Sequence, residues 1–313
     1  MFALRGIAVS LTFFVLLYCV LSAVVTVAWH PLKRLRVAQE SVAALLFGLH
    51  ILPLVASVVV TFAFVVPSFQ LLEPRAVNVD EGMGAMPLAL GVCALLLIAC
   101  GCFRVIVAQS RASRVIACWL EGACPLDVGA QTATFRSGRE APPLTLVGVR
   151  KPRVLVSEST VAILSHDELH IALKHELAHL KSRDNLKKLI FRFCPFPGMA
   201  KLESAWSQAA ELAADDAAVS SQCDAVGLAA ILVKLSRPVS VEAAPVCSVG
   251  FVTGSLSERV ERLLAWDEAS KARRVRIRTW FIVPPIVAAS LLAIIAYGPV
   301  LTLTHEVTEW LVR

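Results

Sequence analysis

Residues 165–186 read SHDELHIALKHELAHLKSRDNL, and this stretch decides what kind of domain the chain carries. Ser165 with Glu168 three residues on is the pattern of a reciprocal helix N-cap. Leu169, Leu173, Leu177 and Leu180 then recur at helical spacing, so the stretch is predicted to be helical. His175 and His179 stand four apart, on one face of that helix, from which two imidazoles reach one tetrahedral zinc ion. Glu176 stands beside them as the candidate general base. An HExxH pattern arises by chance only roughly 0.01 times in a chain of this length and composition.

A catalytic zinc takes three protein ligands and keeps one open position. The metzincin pattern calls for Gly and His at set places after the motif, where this chain has Ser182 and Asn185. The other histidines are His30, His50, His166, His170 and His305, none of them in the later part of the same domain. The third ligand is therefore expected to be a carboxylate on another helix. Glu211, 32 residues past His179 in the run ELAADDAA, is the candidate. Asp215, one turn later, is placed to accept the second N–H of a ligating imidazole. The alternative is a solvated acidic face of Glu211, Asp215 and Asp216. The alanines 209, 210, 213, 214, 217 and 218 argue instead for close packing. Asp184 either orients an imidazole in the same way or caps the next turn with Arg183. His166 and His170 read as surface residues, and His50 as a packing residue of an apolar helix. An oxyanion donor must come from elsewhere, because the only tyrosines, Tyr18 and Tyr297, lie in apolar segments. Arg259, Arg237 and Arg262 are the candidates, with Arg259 equally suited to a salt bridge.

Outward from this domain the composition changes. The 313 residues are 57% hydrophobic and only 17% charged, against about 45–50% and 25% in ordinary globular domains. Disorder, collagen and coiled coil are excluded by that balance. Four uncharged stretches account for it: Ile7–Trp29, Ser41–Leu72 (most apolar between Val42 and Val66), Gly82–Phe103 and Thr279–Thr304. Each exceeds the 18 or so residues needed to cross a hydrocarbon core, and each is expected to be helical. Pro53, Pro284 and Pro285 are expected to kink helices rather than end them. The first stretch lacks a signal-peptide cleavage pattern and reads as a retained helix.

The expected fold is thus an integral-membrane α-helical protein with four transmembrane helices. An α+β zincin-like (gluzincin) metallopeptidase domain is inserted between helices three and four. Three helices fill 1–103 (about 7–29, 42–66 and 82–103). The inserted domain spans 104–278, the fourth helix 279–304, and a short tail 305–313. Lys33, Arg34 and Arg36 in the first connection, and Lys271, Arg273, Arg274, Arg276 and Arg278 beside the fourth helix, place these segments in the cytoplasm. Both termini then lie outside a multi-pass cell membrane (inner or plasma membrane). The basic run reads as an anchor at anionic lipid rather than a nucleic-acid patch. The nine cysteines include no CxxC pair, which argues against a zinc ribbon and for structural roles.

Within the insert, Gln131–Arg136, Leu144–Gly148 and Arg153–Ser157 have strand character. Further helices are expected at about 202–218, 226–236 and 255–266. Arg153–Ser157 (RVLVS) is the candidate edge strand for a substrate to pair with, the alternative being an interior strand. The loop Pro238–Gly254 is a candidate lid or a passive linker.

The run PPLTLVGVRKPRVLVSESTVAILSHDELHIALKHELAHLKSRDNL (142–186), with WSQAAELAADDAAV (206–219), resembles the BlaR/MecR-type membrane metallopeptidases. The layout of three helices, a cytoplasmic zinc domain and a fourth helix resembles them as well. The resemblance implies one Zn2+ per chain on His175, His179 and Glu211, with Glu176 as catalytic base. It implies a protein or peptide substrate, such as a transcriptional repressor, and a role in signalling. The β-lactam sensor domain of that family has no counterpart in the nine residues after the fourth helix. Two other readings stay open: a catalytically idle scaffold of the same fold, and a quality-control peptidase of the HtpX/CAAX-protease kind.

Overall fold

Among the described residues of the computed structural model, three helices are long and apolar enough to cross a bilayer, by length and composition. They are α1 (Phe2–Ala28), the continuous Gln39–Leu72, and α4 (Ala85–Leu120). The structure describes residues 2–30, 37–73, 84–127, 132–138, 141–194, 196–236, 248–250, 256–267 and 296–312. The second helix comprises α2 (Gln39–Val60), a π-helical stretch (Thr61–Val65) and α3 (Val66–Leu72). Pro53 lies inside α2 without ending it, and Ser57 Oγ donates to the Pro53 carbonyl at 2.6 Å.

Two of the apolar helices run well past the ends expected from the sequence. The third apolar helix does not stop at Phe103. It continues past Arg104, Arg111 and Arg114 to Leu120, because nothing in that stretch breaks a helix and its polar face only marks where it leaves apolar surroundings. Its end meets the sheet, where Ser137 Oγ donates to the Trp119 carbonyl at 2.5 Å. The expected fourth span falls mostly outside the described residues. Its last part opens a helix, Tyr297–Val312, that runs on through the segment expected to be a short tail.

Among the described residues, the domain that follows α4 has five strands: β1 (Cys124–Pro125), β2 (Thr134–Ser137), β3 (Leu144–Val147), β4 (Arg153–Ser157) and β5 (Ser248–Gly250). Their order is β1-β2-β4-β3-β5, with β2 and β4 parallel and the other pairs antiparallel. RVLVS is therefore an interior strand and not an edge, flanked by β2 and β3. Val154, Leu155, Val156 and Ser157 are all buried, because both faces of this strand are covered. The segment expected to be a lid contributes β5, which pairs with the outer side of β3. The rest of that loop lies outside the described residues.

Helices α5 (Glu158–Ile163), α6 (His166–Ser182), α7 (Asp184–Phe193), α8 (Ala200–Ala218), α9 (Gln222–Leu235) and α10 (Leu256–Leu264) complete the domain, and the helix Tyr297–Val312 is α11. The Ser165–Glu168 capping box forms at the start of α6, and a second, Ser221–Asp224, starts α9. One core lies between the sheet, α6, α9 and α10, around Leu146, Val156, Leu173, Leu228 and Leu232. A second joins the apolar helices to the domain: Val25, Trp29 and Leu46 pack on Phe191, Leu202 and Trp206.

Gly101 sits where α4 passes α7. A Cβ there would stand 2.6 Å from the Phe193 carbonyl oxygen, a backbone atom with no rotamer to escape into. Gly101→Ala is therefore expected to cost about 1–3 kcal/mol by overpacking. Thermal unfolding in detergent should show a lowered midpoint, and an unchanged midpoint would mean that α4 and α7 do not approach this closely.

Candidate metal centre

The α6 geometry follows from its register. His175, Glu176 and His179 all fall on the side facing the sheet and α8, and all are buried. Their ring nitrogens converge, with His175 Nε2 and His179 Nε2 3.2 Å apart. Glu211 on α8 faces the same point, with carboxylate oxygens 3.6 Å from His175 Nε2 and 3.7 Å from His179 Nε2. One donor atom from each of His175, His179 and Glu211 lies within 4.8 Å of the other two.

Each imidazole is backed by a carboxylate. Asp215 Oδ1 lies 3.0 Å from His175 Nδ1, and Asp184 Oδ2 lies 2.8 Å from His179 Nδ1. A carboxylate only accepts, so each Nδ1 carries a proton and each Nε2 turns a lone pair toward the other. Lone pairs 3.2 Å apart repel unless a proton or a metal cation lies between them. Two nitrogens bound to one tetrahedral zinc at about 2.0–2.1 Å would sit about 3.3 Å apart, so the spacing fits a zinc ion. The electrostatics agree. Burial alone would lower the His175 pKa, yet Asp215 and Glu211 raise it to about 9, which is the response of a base in a site that attracts positive charge.

Glu176 is held differently. Its Oε2 accepts from the Leu146 backbone N–H on β3 at 2.8 Å, while Oε1 is buried with no hydrogen-bond partner among the described residues. Burial raises its pKa, opposed by the two histidines. β3 is in turn fixed to α7, because Asn185 Nδ2 donates to the carbonyls of Leu146 and Gly148, both at 3.1 Å. The turn that permits this is Arg183, whose left-handed backbone (φ 55°) separates α6 from α7 and returns Asp184 and Asn185 to the site.

Arg259 on α10 was the sequence candidate for an oxyanion donor. The structure places its guanidinium elsewhere: Nε donates to Asp215 Oδ2 at 2.8 Å, Nη2 to Asp215 Oδ1 at 2.6 Å, and Nη1 lies 2.9 Å from Glu211 Oε2. A fork held by two carboxylates serves as a clamp, not as a donor to substrate. Asp215 is held well below the usual carboxylate range, because His175 and Arg259 outweigh the effect of its burial. Asp184 is also lowered, by His179 and Lys187 against burial. Arg262 pairs with Asp216, so that carboxylate belongs to the domain surface rather than the site. His166 and His170 are exposed on α6, and His50 is buried against Phe191, its ring 4.2 Å away. The Leu146 N–H and Asn185 were missed in the sequence. A backbone donor leaves no sequence signal, and Asn185 stood out only as the residue in place of a metzincin histidine.

Asp184→Asn keeps the size but weakens the acceptor that fixes the His179 tautomer. Metal affinity is expected to fall about 10–100-fold. Competition with a chromophoric chelator measures this, and unchanged affinity would remove Asp184 from the site.

No curated protein matches the chain. Residues 146–246, about a third of its length, match the model of Peptidase family M48, and the match, which covers α6 and Glu211, supports a metallopeptidase of that family.

Proposed function

We propose that the chain is an integral-membrane zinc endopeptidase that hydrolyses peptide bonds in a protein substrate. The observation that carries this reading is the buried trio His175, His179 and Glu211 beside a carboxylate, Glu176, that has one oxygen anchored and one available. A zinc ion held by the trio would polarise the scissile carbonyl and make a bound water a stronger acid.

The chain's own residues then divide the work. The Leu146 N–H fixes Glu176 Oε2, so the carboxylate cannot rotate away, and Oε1 is the atom that takes the proton from the attacking water. The same oxygen returns that proton to the amide nitrogen as the C–N bond breaks and the new C–O bond is complete. A raised pKa suits this double duty, because the carboxyl group must both gain and lose a proton near neutral pH. Asp215 and Asp184 keep the imidazoles in one tautomer, and Arg259 holds Asp215 and Glu211 in register. A substrate strand added to the sheet would pair with β5, the outer strand on the side of β3, whose backbone touches Glu176.

The resemblance to BlaR/MecR-type peptidases supports a regulatory role, with a transcriptional repressor or another cytoplasmic or membrane protein as the substrate. The positive-inside pattern supports a cytoplasmic peptidase domain and extracytoplasmic termini. A reporter fused at Gln131 should stay inside the cell and one fused after Arg313 should lie outside; the reverse result would move the peptidase domain to the other side of the membrane.

Glu176→Gln is expected to lower peptide cleavage by about 10²–10⁴-fold while leaving bound zinc unchanged. Loss of zinc together with activity would make Glu176 structural. A cellular effect that survives the substitution intact would favour a catalytically idle scaffold.

A further inference from the structure

A second group of metal-ligating side chains lies at the other end of the apolar helices. His305 and Glu309 stand one turn apart on α11, and Glu73 directly follows α3. One donor atom from each of the three lies within 4.8 Å of the other two. His305 Nε2 is 3.7 Å from Glu309 Oε1, too far for a hydrogen bond but near the separation of two ligands on one ion. His305 Nδ1 is buried with no hydrogen-bond partner among the described residues. Arg5 Nη1 lies 3.3 Å from Glu73 Oε1. Two carboxylates therefore stand beside one imidazole, with the guanidinium of Arg5 on one of them.

The elements that carry these residues are held together independently of them. Tyr297 at the start of α11 donates to the Ala63 carbonyl at 3.1 Å, and its ring lies 5.6 Å from that of Phe64. Phe2 packs on Phe69, their rings 4.8 Å apart, which brings the start of α1 to α3. This end is remote from the catalytic trio. Trp29, at the far end of α1, packs on the peptidase domain, and a helix rises about 36 Å between Arg5 and Trp29.

We propose that Glu73, His305 and Glu309 form a second divalent-metal site that ties α11 to the end of α3. One imidazole with two carboxylates suits a first-row transition ion of the Zn2+ class. Ca2+ and Mg2+ prefer an all-oxygen shell, which the imidazole disfavours. A bound ion would cross-link the helix after the last apolar segment to the bundle, at the end opposite the peptidase.

The test is zinc content of the full chain in lipid nanodiscs, equilibrated at micromolar free Zn2+ and measured by mass spectrometry. Wild type is expected to hold two ions per chain. His305→Ala and Glu309→Gln should each hold one and keep peptidase activity, which separates a lost ion from a lost fold. His175→Ala should also hold one, and His175→Ala combined with His305→Ala none. Glu309→Gln, which conserves shape, carries the test should His305→Ala fail to fold. The proposal is overturned if wild type holds one ion that is lost with His175→Ala, or if His305→Ala and Glu309→Gln bind as much zinc as wild type. The peptidase reading fails separately, if His175→Ala leaves the zinc content unchanged.

Discussion

Burial of negative charge in one small volume is the constraint on which the peptidase domain depends. Glu176, Glu211, Asp215 and Asp184 are all buried around two imidazoles. Carboxylates removed from water are stable only when paired, and the guanidinium of Arg259 is shared by two of them. Lys187 pairs with Asp184, and a cation among His175, His179 and Glu211 would offset the charge that remains. Four helices meet at this point because each brings one part of it. α6 carries the imidazoles and Glu176, α7 carries Asp184, α8 carries Glu211 and Asp215, and α10 carries Arg259. The position of α10 in the fold thus follows from charge as well as from the apolar contacts of Leu263.

The apolar helices belong to the same construction. α8 faces α6 on one side and the ends of α1 and α2 on the other, where Leu202, Ala205, Trp206 and Ala209 meet Trp29 and Leu46. The alanine-rich face of α8 allows both approaches at once. The helix that supplies Glu211 is therefore packed directly on segments suited to lie in a membrane. α4 makes the second connection, from the far end of the bundle to the sheet through Trp119 and Ser137. Leu202 and Trp206 on α8, the helix that carries Glu211, thus pack directly on α1 and α2.

Much of this was readable in the sequence, and the limits have physical causes. The cap at Ser165, the helical leucines and HExxH depend on local spacing, and α6 starts where they predict; its end at Ser182, where the left-handed Arg183 divides the expected helical stretch into α6 and α7, has no such signal. Glu211 and Asp215 could be named because residues four apart on one helix share a face. Arg259 could not be given its partners, because it stands 44 positions from Asp215 and only the fold brings the two together. RVLVS was expected at an edge and lies inside the sheet. An apolar run of this length is the same in both settings, and only the neighbouring strands decide. The end of α4 was misplaced for a related reason: charge marks where a helix leaves apolar surroundings, not where it stops. The Leu146 N–H that anchors Glu176 is a backbone group and has no signature in any alphabet of side chains.

The most direct test of the account is X-ray absorption at the zinc edge, on the zinc-loaded His305→Ala chain so that the peptidase centre alone is seen. The account predicts a first shell of nitrogen and oxygen at about 2.0–2.2 Å, with the outer-shell scattering of two imidazoles and no sulfur. A sulfur ligand at about 2.3 Å, or scattering from fewer than two imidazoles, would contradict the assignment of His175, His179 and Glu211 as the metal centre.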